Sequence, residues 1–294
     1  MAYKVLCFSG GGIRGIFQAT LLNTLQKDLG PFWKDFDLIA GTSTGAIIAL
    51  GLTLNKSPAE IVEFFVSHGP KIFGKWKNPV KGSPYYNQKP LKNALEEAFG
   101  SETLGKCNPE VAIVSTDLSD YSVRVFSPLT KGTDKNFLAV NVAMASAAAP
   151  AYFPSYPLSK RTYIDGGLWA NDPSVAALTL ANESRMIDFK HMRLMHIGNG
   201  EKLTGGTKSK HDKIAPVRMP YYLIDMFFSA QADAAREFAA RILGPGNVLD
   251  VNIELTSNIA LDDHKKALKD LPSLASKTAK KRYKDIERFL ANNK

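Results

Sequence analysis

The chain has 294 residues, with 37 Lys and Arg against 28 Asp and Glu, a formal charge of +9. Its 45% hydrophobic share is ordinary for a soluble globular protein, and no uninterrupted apolar run is long enough to span a membrane. Two cysteines, Cys7 and Cys107, exclude a disulfide framework and point to a reducing compartment.

The positive balance favours an anionic partner, nucleic acid or a membrane surface, or serves solubility alone. MAYKVLCFSGGG runs from a short apolar stretch straight into glycines, without the cleavage site of a signal peptide. The longest candidate span, FLAVNVAMASAAAPAYF, is broken by Asn141, Ser146 and Pro150. The expectation is a cytosolic protein that visits a membrane without crossing it.

In chain order, residues 3–8 (YKVLCF) read as a buried strand, with Cys7 a small hydrophobe. Ile13 to Leu29 carries Ile16, Ala19, Leu22 and Leu25 at spacings of three, a helical pattern that Gly30-Pro31 ends. Residues 36–40 predict a second strand and 44–54 a second helix. Ser57-Pro58-Ala59-Glu60 combines an N-cap, a first-turn proline and an acidic first turn, and starts a third helix through Val66. Residues 70–90 differ: Phe73, Trp76, Tyr85 and Tyr86 alternate with Lys71, Lys75, Lys77 and Lys81 among glycines and prolines, as in a long excursion. Those aromatics and lysines suit the headgroup region of an anionic bilayer, or else cover the core. Leu91 to Phe99 predicts a helix, and VAIVSTDL, VRVFSP, RTYID and MRLMHIG predict strands.

The block VNVAMASAAAPAYFP reads as a small-residue helix ended by Pro150, residues 201–213 as a polar, mobile loop, and YYLIDMFFSAQADAAREFAARIL as a long helix. In the latter, Met226, Phe227 and Phe228 form a core stripe or line an acyl channel. Near the end, Ala275, Ala279, Tyr283, Ile286 and Leu290 share one helical stripe, and Lys277, Lys280, Lys281, Lys284 and Arg288 fall largely elsewhere. Strands and helices alternating at short intervals predict an α/β fold, three αβα layers around a mostly parallel central sheet. With no repeat or linker, residues 1–294 are expected to form one domain, a core of about 3–200 with a helical extension over about 215–294.

Two glycine motifs follow predicted strands. Gly41-Thr42-Ser43-Thr44-Gly45 is G-x-S-x-G between a strand and a helix, the setting of a nucleophile elbow, where flanking side chains would collide. There the serine oxygen projects at the positive end of a helix. Gly10-Gly11-Gly12-Ile13-Arg14-Gly15 admits three readings. As a dinucleotide loop it lacks the usual acidic residue after a second strand. As a phosphate loop it lacks the Lys-Ser/Thr pair. As an oxyanion hole, its N–H groups converge on one oxygen, and only this reading also uses the serine elbow. Arg14 stands at the loop's edge, to attract a substrate phosphate, to brace the loop, or simply as a solvated arginine.

A serine needs a base. Of five histidines, His196 in MRLMHIGNG is the candidate for a triad, and the order Ser43, Asp165, His196 suits an α/β-hydrolase. Yet it lies inside a strand, where a satisfied core histidine is expected. Asp165, in TYIDGG, ends a strand at the carboxyl edge of the sheet, followed by Gly166 and Gly167. In a dry site, desolvation raises its basicity enough to take the serine proton directly.

GGGIRG, GTSTG and DGG, in this order and each after a strand, resemble the patatin-like phospholipases, as do ASAAAPAYFP and Asn171-Asp172-Pro173. The resemblance covers roughly residues 3–200. It implies Ser43 as nucleophile and Asp165 as its partner in a Ser-Asp dyad. Gly10, Gly11 and Gly12 would form the oxyanion hole, with Arg14 at the family's basic position and no histidine required. Gly41, Gly45, Gly166 and Gly167 are the glycines of the elbow and the dyad. It implies no metal and no organic cofactor, and a membrane phospholipid substrate. A nucleic-acid-binding module would explain +9, yet no recognisable motif supports one, so no nucleic acid is expected. Asp172 stands where relatives often carry Asn. Some bacterial members respond to cyclic nucleotides, a property the residues here neither establish nor exclude.

Overall fold

Alternation along β1 (Tyr3–Phe8) and β2 (Leu38–Thr42) sets the layering. Val5, Cys7, Leu38 and Ala40 turn to one face of the sheet and pack with Ala177, Ala181, Ala239 and Leu243. Leu6, Phe8 and Ile39 turn to the other and pack with Phe17, Leu22 and Ile48. Both strands are apolar throughout because both of their faces are covered. The computed structural model describes residues 2–74, 84–200, 219–255 and 257–291. It has an α/β fold with helices on both faces of a mostly parallel sheet.

The other strands are β3 (Glu110–Asp117), β4 (Ser122–Phe126), β5 (Tyr156–Leu158), β6 (Arg161–Asp165), β7 (Met192–Ile197) and β8 (Val248–Val251). The sheet order is β5-β6-β3-β2-β1-β7-β8, with β4 also on β3. The pairs β1–β2, β1–β7, β2–β3 and β7–β8 are parallel, whereas β4 and β6 run antiparallel to β3 and β5 antiparallel to β6.

One face carries α1 (Gly15–Leu29), α2 (Thr44–Thr53), α3 (Pro58–Phe73), α4 (Lys89–Phe99), α5 (Ala139–Ser146) and α9 (His264–Ala291). The other carries α7 (Ser174–Arg185) and part of α8 (Met219–Leu243). A short α6 (Gly167–Ala170) follows Asp165. Near the middle of α8 the chain changes layers. Its Ala239 and Leu243 belong to the second face, while its Ile224 and Phe228 join the core of the first.

Several boundaries differ from the expectations. Helix α3 runs on to Phe73 through Pro70, because its apolar face continues past the proline into Ile72. Helix α5 stops at Ser146, four residues before Pro150, and the chain turns so that the Ala148 carbonyl accepts the Asp165 N–H at 3.0 Å. β5 and β8 have no counterpart among the predicted strands. Residues 75–83 and 201–213, with Lys75, Trp76, Lys77 and Lys81, lie outside the described residues. Of the aromatics flanking the first segment, Tyr86 is buried and Phe73 packs against the same core. On α9 the stripe is as expected: Ala275, Ala279 and Ile286 are buried, with Tyr283 and Leu290 packed beside them, and the named lysines are exposed.

Candidate active site

The register on β3 brings the two sequence-predicted reacting residues together. β2 runs parallel to β3 and ends with Thr42 opposite Val114. β6 arrives from the other direction, with Asp165 opposite Ser115. The C-terminal ends of β2 and β6 therefore meet head to head at adjoining positions of one strand. Asp165 was expected at the carboxyl edge of a parallel sheet. It reaches Ser43 instead because β6 is antiparallel, which turns its last residue toward the end of β2.

Ser43 sits at φ 55°, ψ −120°, a conformation that side chains seldom adopt. Such strain costs about 1–3 kcal/mol and persists only where the surroundings enforce it. Here the enforcement is visible. A Cβ on Gly41 would fall 2.2 Å from the Gly45 carbonyl, and one on Gly45 would fall 2.2 Å from the Phe8 carbonyl. Strand and helix touch backbone to backbone at this turn. The Ser43 N–H donates to Ser146 Oγ at 2.8 Å, and Ser146 Oγ donates onward to the Val114 carbonyl at 2.6 Å. The Thr42 hydroxyl donates to the Ala170 carbonyl at 2.6 Å. Ser146 is a support that the sequence reading missed. The one available signal was a hydroxyl within the otherwise apolar block MASAAAP.

Asp165 is fully buried. Burial pushes its pKa from 3.8 up to about 7, against the opposing pull of the Ser43 hydroxyl and the Gly167 N–H, both of which favour the carboxylate. The Gly167 N–H reaches Oδ1 at 2.7 Å, while buried Oδ2 has no well-formed hydrogen bond among the described residues. This pairing has a pH consequence. A carboxyl acting as base must be ionised, so ester hydrolysis is expected to rise through pH 7 and level off above it. A kcat/KM profile that is flat between pH 5.5 and 8.5 would exclude Asp165 as the titrating base.

The glycine loop lies against Ser43. A Cβ on Gly10 would fall 3.1 Å from the Ser43 Cβ. The Gly10 N–H donates to the Asn171 carbonyl at 3.0 Å, so a share for it in binding an oxyanion would require that bond to be given up. For the N–H groups of Gly11 and Gly12, no backbone acceptor appears among the described loop contacts. Arg14 reaches the carbonyls of Gly11 at 3.4 Å and Gly200 at 3.3 Å, contacts that brace the loop.

His196 is not brought to Ser43. It lies buried between other partners, with Nε2 2.7 Å from Ser9 Oγ and 3.4 Å from Asp172 Oδ2, and Nδ1 2.7 Å from Asp250 Oδ1. Burial alone would lower its pKa, but Asp172 and Asp250 outweigh it and hold the value above ordinary. Asp172 thus has a charge partner of its own. On the side where a Cβ would point, Gly10, Gly11 and Gly12 abut Asn171, Asn199 and the Leu261 backbone respectively, so none of the three tolerates a side chain without displacement.

Beside Ser43 lies an apolar cavity of about 50 Å³, walled by Phe64, Phe65, Ile72, Phe73, Phe153 and Phe228 among others. Phe228 is buried and its ring would lie 2.6 Å from a Cβ on Gly167. Met226 and Phe227, its neighbours on α8, face outward and are about half exposed. The three aromatic and thioether side chains therefore divide between wall and surface.

Together these features define an α/β protein with a strained serine elbow, a buried carboxylate opposite it and a glycine loop alongside. Residues 6–178 match the family model for patatin-like phospholipases, and the chain belongs to that family. A "cGAMP-activated phospholipase" of Pseudomonas aeruginosa is 35% identical over 185 residues, 60% of this chain and 56% of that protein. "Patatin-like protein 2" of Oryza sativa is 29% identical over 285 residues, 78% of this chain and 70% of that protein. "Patatin group J-1" of Solanum tuberosum is 30% identical over 246 residues, 71% of this chain and 62% of that protein. The chain thus spans little more than half of the bacterial relative's length.

Proposed function

We propose that the chain is a lipid acyl hydrolase of phospholipase A or lysophospholipase type, cleaving fatty acyl esters of membrane phospholipids through a Ser43–Asp165 dyad. What supports the reading most is the abutment of β2 and β6 on β3, with the Ser43 hydroxyl beside the buried Asp165 carboxyl and Ser43 itself lining an apolar cavity. Ser43 Oγ attacks the ester carbonyl as Asp165 takes its proton. The tetrahedral oxyanion is held by the N–H groups of Gly11 and Gly12, with Gly10 adjoining. The lysolipid leaves with that proton, and a water activated by Asp165 then hydrolyses the acyl-enzyme. No helix among the described residues is long and apolar enough to cross a membrane. We infer that the substrate is reached by peripheral contact with an anionic surface, for which the net charge of +9 is suited.

The test is incubation with mixed phospholipid vesicles and mass spectrometry of the products. Free fatty acid and lysolipid are expected with the wild type and none above background with Ser43→Ala. Equal release by both proteins would end the proposal. One relative's name includes activation by cGAMP, so the assay is run with and without a cyclic dinucleotide.

A further inference from the structure

A run of three glycines has little conformational preference of its own. If the Gly10–Gly11 peptide turned over, a carbonyl would face the site in place of an N–H, and the loop would repel the charge it is meant to stabilise. Something outside the loop must fix that peptide.

Two side-chain amides take up the loop's carbonyls. Gln18 Nε2, on α1, donates to the Ser9 carbonyl at 3.1 Å and the Ile197 carbonyl at 2.8 Å. Asn199 Nδ2 donates to the Gly10 carbonyl at 2.6 Å and to the Ser9 carbonyl at 3.3 Å. Asn199 is only 2% exposed, and its amide sits directly on the loop: a Cβ on Gly11 would fall 2.3 Å from Nδ2. Its own backbone is held on both sides. The Gly198 N–H donates to the Val251 carbonyl at 3.1 Å, and the Gly200 N–H to Asn252 Oδ1 at 3.0 Å.

In a trans peptide the N–H points opposite to the C=O. With the Gly10 oxygen held on Asn199, the Gly11 N–H is directed away from Asn199. We infer that Asn199 is a positioning residue, whose amide locks the Gly10–Gly11 peptide so that the Gly11 N–H faces the oxyanion formed at Ser43. The inference rests on the dyad reading above. It gives a residue from the end of β7 a part in acyl transfer without contact with substrate.

The test is phosphonylation by a fluorophosphonate. The Ser43 oxygen bonds to phosphorus, fluoride leaves, and the hydroxyl proton passes to Asp165. The phosphonyl oxygen occupies the same site as the oxyanion. Saturation kinetics separate reversible binding from bond formation. Asn199→Leu removes the donor with little change in size, and Asn199→Asp keeps the shape and loses the donor once its carboxyl is ionised. The bond-forming rate of both is expected to fall by roughly 100-fold, the scale of losing one oxyanion donor. Reversible binding should stay near wild type; both variants are expected to unfold earlier, Asn199→Asp the more so because it sets a carboxylate against the Ser9 and Gly10 carbonyls, so rates are taken per folded protein. If Asn199→Leu does not fold, Asn199→Asp decides alone. Labelling at the wild-type rate, or a loss that only tracks unfolded protein, overturns the role of Asn199 and leaves the dyad standing. A wild type no more labelled at residue 43 than Ser43→Ala overturns the dyad, and this inference with it.

Discussion

Asp165→Asn is expected to abolish ester hydrolysis and, at pH 8, to make the protein more stable. Asparagine keeps the oxygen that accepts from the Gly167 N–H at 2.7 Å. It removes a charge that is fully buried. Loss of a positioned general base typically costs about 100- to 10,000-fold in rate. The stability gain follows from the raised pKa. Between the unfolded value of 3.8 and the folded value of about 7, the folded state holds a proton that the unfolded chain has released. Stability contributed by Asp165 is therefore full below pH 3.8 and declines as the pH rises toward 7. At pH 8 the wild type carries the whole penalty and the asparagine variant none. Thermal unfolding and a kcat/KM measurement on the same samples check both halves. An inactive variant that is also less stable at pH 8 would show that the carboxylate is held by favourable contacts, against the desolvation argued here.

His196→Ala is expected to do the reverse, costing stability and sparing catalysis. Its ring bridges Asp172, Asp250 and the Ser9 hydroxyl. Removing it leaves Asp172, 1% exposed, as an uncompensated buried charge. Breaking one partner of a buried pair costs about 3–5 kcal/mol. The raised pKa of His196 places its stabilisation below its unfolded value of 6.5, with loss as the pH climbs through the higher folded value. Denaturant unfolding at pH 6 is the appropriate measurement. Activity of the folded fraction should stay well within the roughly 100-fold loss that marks removal of a general base. A larger loss at full folding would restore the Ser-His-Asp alternative.

Much of the site was legible because its parts are local. Gly41 to Gly45 and Gly10 to Gly15 each join a strand to a helix within a few residues, and short apolar runs and a spacing of three place those elements. Strand direction was not legible. Nothing in RTYID says whether β6 runs with or against β3, and the meeting of Ser43 with Asp165 depends on it. β5 escaped notice because Pro157 sits in a three-residue edge strand, and β8 because its four residues lie between turn formers. The supports were hidden for a different reason. Ser146, Gln18 and Asn199 act on partners up to 190 residues away, and an isolated Ser, Gln or Asn carries no pattern that names its acceptor. Charge gave the least, since +9 suits a bilayer, a nucleic acid and plain solubility equally.

The aromatic chamber next to the elbow has one more implication. It is lined almost wholly by apolar side chains, and Ser43 itself is 7% exposed. A fatty tail from a bilayer would reach Ser43 along those rings. Phe228 from α8 and Leu261 from the segment before α9 both line that path. The length of acyl chain that these rings can line should thus set which esters are turned over fastest, read by comparing acetyl, butyryl and longer esters.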